Sequence, residues 1–225
     1  MLSIVIPTLD ADGELRSVLC RVAEVDLPIE IIVADGGSSD VTRNIARVSG
    51  ARVVTAPPGR GGQLAAGAEA AVGSWLLFLH ADTRPGDSWA VVIKRFIAHP
   101  GNAYRAGYFV FALDDPAPAA KRLERLVNWR CRTFGLPYGD QALLISRTFY
   151  DHLGGFKEIP LMEDVELVRR IGRSRLIPLS TIAVTSAARY RREGYLVRPV
   201  LNLFCLGLYF LGLPPAVIER IYRWR

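Results

Sequence analysis

Residues 3–40 read SIVIPTLDADGELRSVLCRVAEVDLPIEIIVADGGSSD. Two short apolar runs, Ser3 to Pro7 and Glu30 to Ala34, flank a stretch with helical periodicity. Leu15, Val18, Leu19 and Val22 fall on one face of a helix over Gly13 to Val25. A buried strand, a helix and a second buried strand are the unit from which parallel sheets are built.

The alternation continues downstream. Strands are predicted over Arg52 to Ala56, Trp75 to His80, Gly107 to Phe111 and Ala142 to Ser146. Asp40 is a good N-cap for a helix reaching Val48, and Gly62 to Val72 is Ala-rich and helix-competent. Ala119 to Phe134 has amphipathic helical spacing, and Leu161 to Ile171 reads as a shorter helix. Leu179 to Val184 reads as a further strand. The fold class is α/β, one Rossmann-like domain with a mostly parallel central sheet. With 225 residues, half of them apolar, the chain is long enough for one buried domain and short for two.

The net charge of +6 is unevenly spread. Residues 1–168 hold 17 Lys and Arg against 20 acids, whereas residues 169–225 hold 11 Arg and two acids. The basic quarter lacks an interleaved aromatic platform, so nucleic acid is not an expected partner. Within it, Val200 to Leu213 is almost wholly apolar, interrupted by Asn202 and two glycines. As a helix it spans roughly 21 Å, too short for a hydrocarbon core of about 30 Å. Arg189, Arg191, Arg192 and Arg198 precede it, and Arg220, Arg223 and Arg225 follow. Two units are expected: a catalytic domain over 1–198 and an apolar, basic helical tail over 199–225. The tail is expected to make peripheral membrane contact, with packing on the domain or dimerisation as the alternatives.

Cys20, Cys131 and Cys205 are widely spaced, odd in number and form no C-x-x-C pair, which disfavours a disulfide framework or a zinc site and points to a reducing compartment. The start of the chain has no cleavable signal pattern. The expected location is the cytoplasm, peripheral on the inner face of the membrane.

Ligands of open α/β sheets bind beyond the C-terminal ends of the strands. Pro7-Thr8-Leu9-Asp10 follows the first strand, Asp35-Gly36-Gly37-Ser38-Ser39-Asp40 the second, and His80-Ala81-Asp82-Thr83 the fourth. Three strand ends thus deliver acids toward one crevice. No G-x-G-x-x-G and no P-loop pattern occurs, which disfavours a dinucleotide site. Arg60-Gly61-Gly62-Gln63, opening the third helix, either approaches a phosphate or forms a simple turn. Glu163-Asp164, with Gly154-Gly155-Phe156 upstream, is the other acidic constellation. It offers a general base or merely complements a helix dipole.

Together, SIVIPTL at 3–9, VADGGSSD at 33–40, LHADT at 79–83, GGF at 154–156 and Glu163-Asp164 resemble the family 2 glycosyltransferases of the GT-A fold. The short length and Gly139-Asp140-Gln141 are similar to a small bacterial subgroup, the rSAM/selenodomain-associated transferase 2 proteins. The resemblance implies a metal-dependent, inverting transfer of a sugar from a nucleotide-sugar donor, a UDP-sugar, to a hydroxyl acceptor. The apolar tail adds the expectation that this acceptor is lipid-linked. Pro7, Thr8 and Asp10 would line the nucleotide pocket, and Asp35 would bind the base. Asp82, matching the second acid of the D-x-D motif, would hold Mg²⁺ or Mn²⁺. Arg60 and Gln63 would assist donor binding, and Arg189 or Arg192 would help hold the diphosphate. Asp164 would be the catalytic base, with Asp140, Gln141 and Glu163 on the acceptor side. His80 replaces the first acid of the D-x-D motif. The competing expectations are a catalytically silent nucleotide-sugar-binding or membrane scaffold protein, and a nucleotidyltransferase.

Overall fold

The computed structural model describes residues 1–223; Trp224 and Arg225, the end of the expected tail, lie outside the described residues. The strands are β1 (Leu2–Thr8), β2 (Ile29–Asp35), β3 (Arg52–Thr55), β4 (Trp75–Phe78), β5 (Thr83–Pro85), β6 (Ala106–Leu113), β7 (Leu143–Ser146) and β8 (Leu176–Thr185). The helices are α1 (Asp12–Ala23), α2 (Thr42–Val48), α3 (Arg60–Ala70), α4 (Trp89–Ala98), α5 (Pro118–Phe134), α6 (Arg147–His152), α7 (Glu163–Ile171), α8 (Ala188–Glu193), α9 (Val197–Phe210) and α10 (Pro215–Arg223).

One eight-stranded sheet runs in the order β3-β2-β1-β4-β7-β6-β8-β5. The first four strands are mutually parallel; β7 is antiparallel to β4 and β6, and β5 is antiparallel to β8. Strand order reverses between β1 and β4. The crevice beyond their C-terminal ends therefore receives Thr8 to Asp10 from one side and His80 to Asp82 from the other.

Both faces of the central strands are buried, which is why they read as continuous apolar runs. Ile4 and Ile6 pack on one side with Leu15, Val18 and Leu19 of α1 and Trp89, Ile93 and Phe96 of α4. Val5 points to the other side, into a cluster with Leu64 of α3, Phe149 of α6 and Leu167 of α7. The helix expected from Asp40 begins two residues later, at Thr42, with the Asp40 carboxylate accepting the Thr42 N–H at 2.9 Å.

The expected tail folds as α9 and α10. One face joins the start of α7, where Met162 and Val165 pack with Cys205, Leu206 and Ile218. The other face is bare: Val200, Phe204 and Leu211 are 63, 54 and 79% exposed. Among the described residues no helix is long and apolar enough to cross a membrane.

Glycine at position 61 is required by close approach. A Cβ there would meet the backbone oxygens of Lys157 and, at 2.6 Å, Ile159. This contact seats the first turn of α3 under the loop leading to α7. Gly61→Ala is expected to cost about 1–3 kcal/mol through overpacking, read as a lowered urea midpoint at unchanged m-value. An unshifted midpoint would show that the loop yields freely.

Candidate active site

Two adjoining cavities, of ≈ 140 and ≈ 330 Å³, open at the switch point and share Arg60, His80, Asp82, Leu161, Arg189 and Tyr222. The larger is walled by Pro7, Thr8, Asp10 and Gln63. The smaller is walled by Asp140, Glu163 and Asp164. Most of the expected site residues are thus brought to one crevice. Asp82 stands between its two halves.

The loops of the larger cavity are tied together by Asp10 and Asp35. Asp10 sits at φ 47°, and its Oδ1 accepts the Ser39 N–H at 2.8 Å. This sparsely populated backbone conformation is held by the neighbouring loop. Asp35 departs from the expectation of a carboxylate facing the crevice. It is wholly buried, and its Oδ1 accepts the N–H groups of Gly37 and Ser38 at 3.2 and 3.0 Å. Its Oδ2 accepts the hydroxyls of Thr8 and Ser38. These bonds turn the group inward, so it supports the wall formed by Thr8 rather than lining it. Gln63 is a second strut: its amide donates to the carbonyls of Thr8 and Ala34.

At the end of β4, His80 packs edge-on against Gly139, where a Cβ would collide with its Nε2. Burial, then the charges of Arg60 and Arg189, hold its imidazole well below its ordinary value. The ring is neutral at physiological pH. Asp82 is half-buried, its Oδ1 3.3 Å from the Thr83 hydroxyl. Its backbone carbonyl accepts the Ser186 N–H at 3.0 Å.

Asp164 opens α7. Its Oδ2 accepts the Gly139 N–H at 2.8 Å and its Oδ1 accepts the Val165 N–H at 2.7 Å. Two backbone donors therefore fix the carboxylate at the cavity wall. Glu163 faces inward instead, 1% exposed, with Arg60 3.6 Å away. That gap is too long for a hydrogen bond, and both carboxylate oxygens lack a hydrogen-bond partner. Burial, reinforced by the Asp164 charge and opposed by Arg60, pushes the Glu163 carboxyl up to about 7. Burial likewise pushes Asp140 up to about 7. Burial alone would lower Arg60, but the surrounding carboxylates of Glu163, Asp164 and Asp82 outweigh it and hold the guanidinium firmly protonated.

A carboxyl raised on folding binds its proton more tightly in the folded chain. The Glu163 contribution is intact below its ordinary value of 4.5 and is lost as pH rises toward about 7. Glu163→Gln is expected to remove this slope, with a gain of up to about 3 kcal/mol over the parent at pH 8. Urea midpoints measured from pH 4 to 8 check it. Parallel profiles for parent and variant would refute the assignment.

Gln141, expected on the acceptor side, is buried away from the cavity. Its amide oxygen accepts from the Tyr138 N–H at 3.2 Å, and its amide nitrogen donates to the Phe109 carbonyl at 3.3 Å. Of the two candidate arginines after β8, Arg189 lines both cavities, whereas Arg192 is exposed beside Glu193. Sequence reasoning did not anticipate Tyr138, Tyr190, Asn202 and Tyr222, all of which line the smaller cavity. One signal was available: Asn202 is the polar residue inside the apolar run of α9.

The profile described as glycosyl transferase family 2 matches residues 3–153. No curated protein matches the chain. Among solved structures, it resembles glucosyl-3-phosphoglycerate synthase from Mycobacterium tuberculosis in complex with Mn²⁺, UDP-glucose and phosphoglyceric acid. The TM-score is 0.59 at 20% identity, covering 83% of this chain and 70% of that one. It also resembles a mannosyltransferase from Pyrobaculum calidifontis in complex with GDP-Man and Mn²⁺. There the TM-score is 0.60 at 19% identity, over 81% of this chain and 56% of that one. At these identities the likeness is one of fold.

Proposed function

The chain belongs to glycosyl transferase family 2, and from that premise we propose that it moves a sugar from a UDP-sugar to a hydroxyl acceptor with inversion. The observation that carries this reading is the shared crevice. Asp82 and Asp164 line one cavity, with Arg60 and Arg189 beside them.

The residues present fit a divalent cation. Asp82 offers a hard oxygen at the switch point. Among the described residues no group of three or more His, Cys, Asp or Glu could hold a metal by itself. A diphosphate and water would complete the shell of Mg²⁺ or Mn²⁺ held at Asp82. When bound, the ion offsets charge on the departing diphosphate. The two structural relatives carry Mn²⁺ with a nucleotide sugar.

In the proposed reaction the acceptor oxygen bonds to the anomeric carbon. The carbon–oxygen bond to the diphosphate breaks, and its electron pair leaves with UDP. The acceptor proton passes to Asp164. Arg60 and Arg189 orient the diphosphate, and Pro7, Thr8 and Asp10 shape the nucleoside end of the larger cavity. A panel of nucleotide sugars with Mg²⁺ or Mn²⁺ tests this by thermal shift and by nucleoside diphosphate release. A ligand bound only by the folded state raises apparent stability. Shift without release would make the chain a binding protein; pyrophosphate release would make it a nucleotidyltransferase.

In this reading residues 1–198 form the catalytic unit, and 199–225 provide peripheral contact with the inner face of the cell membrane. The bare apolar face of α9 supports that assignment. Phe204→Glu with Leu211→Glu is expected to weaken co-sedimentation with phosphatidylglycerol vesicles at least tenfold. Unchanged co-sedimentation would move the contact elsewhere.

A further inference from the structure

A third cavity, of ≈ 230 Å³, lies between α5 and α9. Leu126, Trp129 and Phe134 form one side, and Leu203 and Leu206 the other. The first three and Leu203 are each about half exposed, so the mouth opens on an apolar rim. Such a rim on a monomer marks a site for an apolar ligand or partner.

The inner end is different. Tyr138, Asp140, Tyr190 and Asn202 line both this groove and the cavity that holds Asp164. At this junction the Tyr138 hydroxyl, one Asp140 oxygen and the Asn202 carbonyl oxygen are buried without a hydrogen-bond partner. Buried polar groups left unpaired are costly. A ligand hydroxyl at the junction would accept from the Tyr138 hydroxyl and donate to one of the two remaining oxygens. The Arg130 guanidinium lies 3.6 Å over the Tyr138 ring and fixes it there.

We propose that this groove holds the hydrocarbon chain of the acceptor, so that the substrate class is a hydroxyl borne on an aliphatic chain. The proposal rests on reading the Asp164 cavity as the transfer site. The chain enters past Trp129 and Leu203, and its hydroxyl arrives at Asp140 and Asn202. There its oxygen bonds to the anomeric carbon as the bond to the diphosphate breaks. Its proton passes to Asp164, and the electron pair leaves with UDP. Continuity of an apolar groove with unpaired polar atoms at one end fits an amphiphile. It does not fit a second helix, which would bring no group to the junction.

The full-length protein titrated calorimetrically with hexanol, octanol and decanol tests this. Affinity is expected to rise with chain length, by up to about fourfold per methylene. Leu203→Glu and Leu126→Glu, both at half-exposed positions that tolerate a charge, are expected to weaken decanol at least tenfold. Val200→Glu, on the same helix outside the groove, is expected to leave decanol binding as in the parent. Affinity independent of chain length overturns the proposal, as does equal loss in all three variants. A concentration-dependent dimer that excludes decanol also overturns it, in favour of a second copy. Donor binding by the parent is measured separately with UDP-sugar and Mn²⁺. Donor binding without chain-length dependence sinks the groove alone, whereas alkanol binding without donor binding sinks the transfer reading.

Discussion

Asp164→Asn is expected to lower turnover by about 10²–10⁴-fold, the usual worth of a positioned general base, while donor affinity stays within about twofold. The carboxylate is held by the N–H groups of Gly139 and Val165. The asparagine oxygen keeps one of these bonds and gives up the other, so the fold loses about 1–3 kcal/mol. What the amide cannot do is take a proton from an attacking hydroxyl. The loss therefore falls on kcat, with KM for the donor little changed. Two neighbours are the rival bases. Glu163 and Asp140 are both raised to about 7 by burial, so each becomes competent as pH rises through neutrality. Residual activity of Asp164→Asn that climbs through pH 7 would assign the proton to one of them. Near-normal turnover at every pH would remove Asp164 from the chemistry.

The sheet was legible because its interior strands are apolar on both faces. Ile4 and Ile6 face α1 while Val5 faces α3, and no polar residue interrupts the run. The helix α4 was open to the same kind of reading, since Trp89, Ile93 and Phe96 recur at helical spacing, but no helix was predicted over 89–98. β5 was not: three residues ending in Pro85 become a strand only because β8 offers an edge. The same contrast runs through the site. That residues 8–10 and 80–82 meet follows from the switch point. Which strand-end acid faces the crevice does not follow, because sequence cannot tell a ligand from a tie between loops. Asp82 lines it, Asp10 lines it while anchoring Ser39, and Asp35 turns inward. Gln141 poses the same ambiguity and resolves the same way. Asn202 and Tyr222 reach the cavity through the packing of α9 and α10 on α7, and Tyr190 reaches it from α8; of the three, Asn202 alone left a local mark, as a polar residue inside an apolar run.

Asp82→Ala is expected to weaken Mn²⁺-dependent donor binding about 100-fold and to leave the weaker, metal-free binding of UDP intact. The carboxylates around the crevice are mostly committed or turned away, although one Asp140 oxygen and both Glu163 oxygens lack a hydrogen-bond partner. Asp10 is bound to Ser39, Asp35 is buried behind Thr8, Glu163 faces Arg60, and Asp164 is held by Gly139 and Val165. His80 is neutral but pressed against Gly139. The substitutes left to the variant are the buried, unpaired oxygens of Asp140 and Glu163. At a donor concentration 100 times the parent Kd, binding stabilises the parent by about 2.7 kcal/mol; a 100-fold weaker variant keeps only about 0.4 kcal/mol. Thermal shifts with and without Mn²⁺ resolve that difference. Asp82→Asn separates charge from shape, since the amide keeps an oxygen but not the negative charge, and it is expected to fall near Ala. If Mn²⁺ strengthens donor binding equally in parent and Asp82→Ala, the cation sits elsewhere, and Arg60 and Arg189 are left to neutralise the diphosphate.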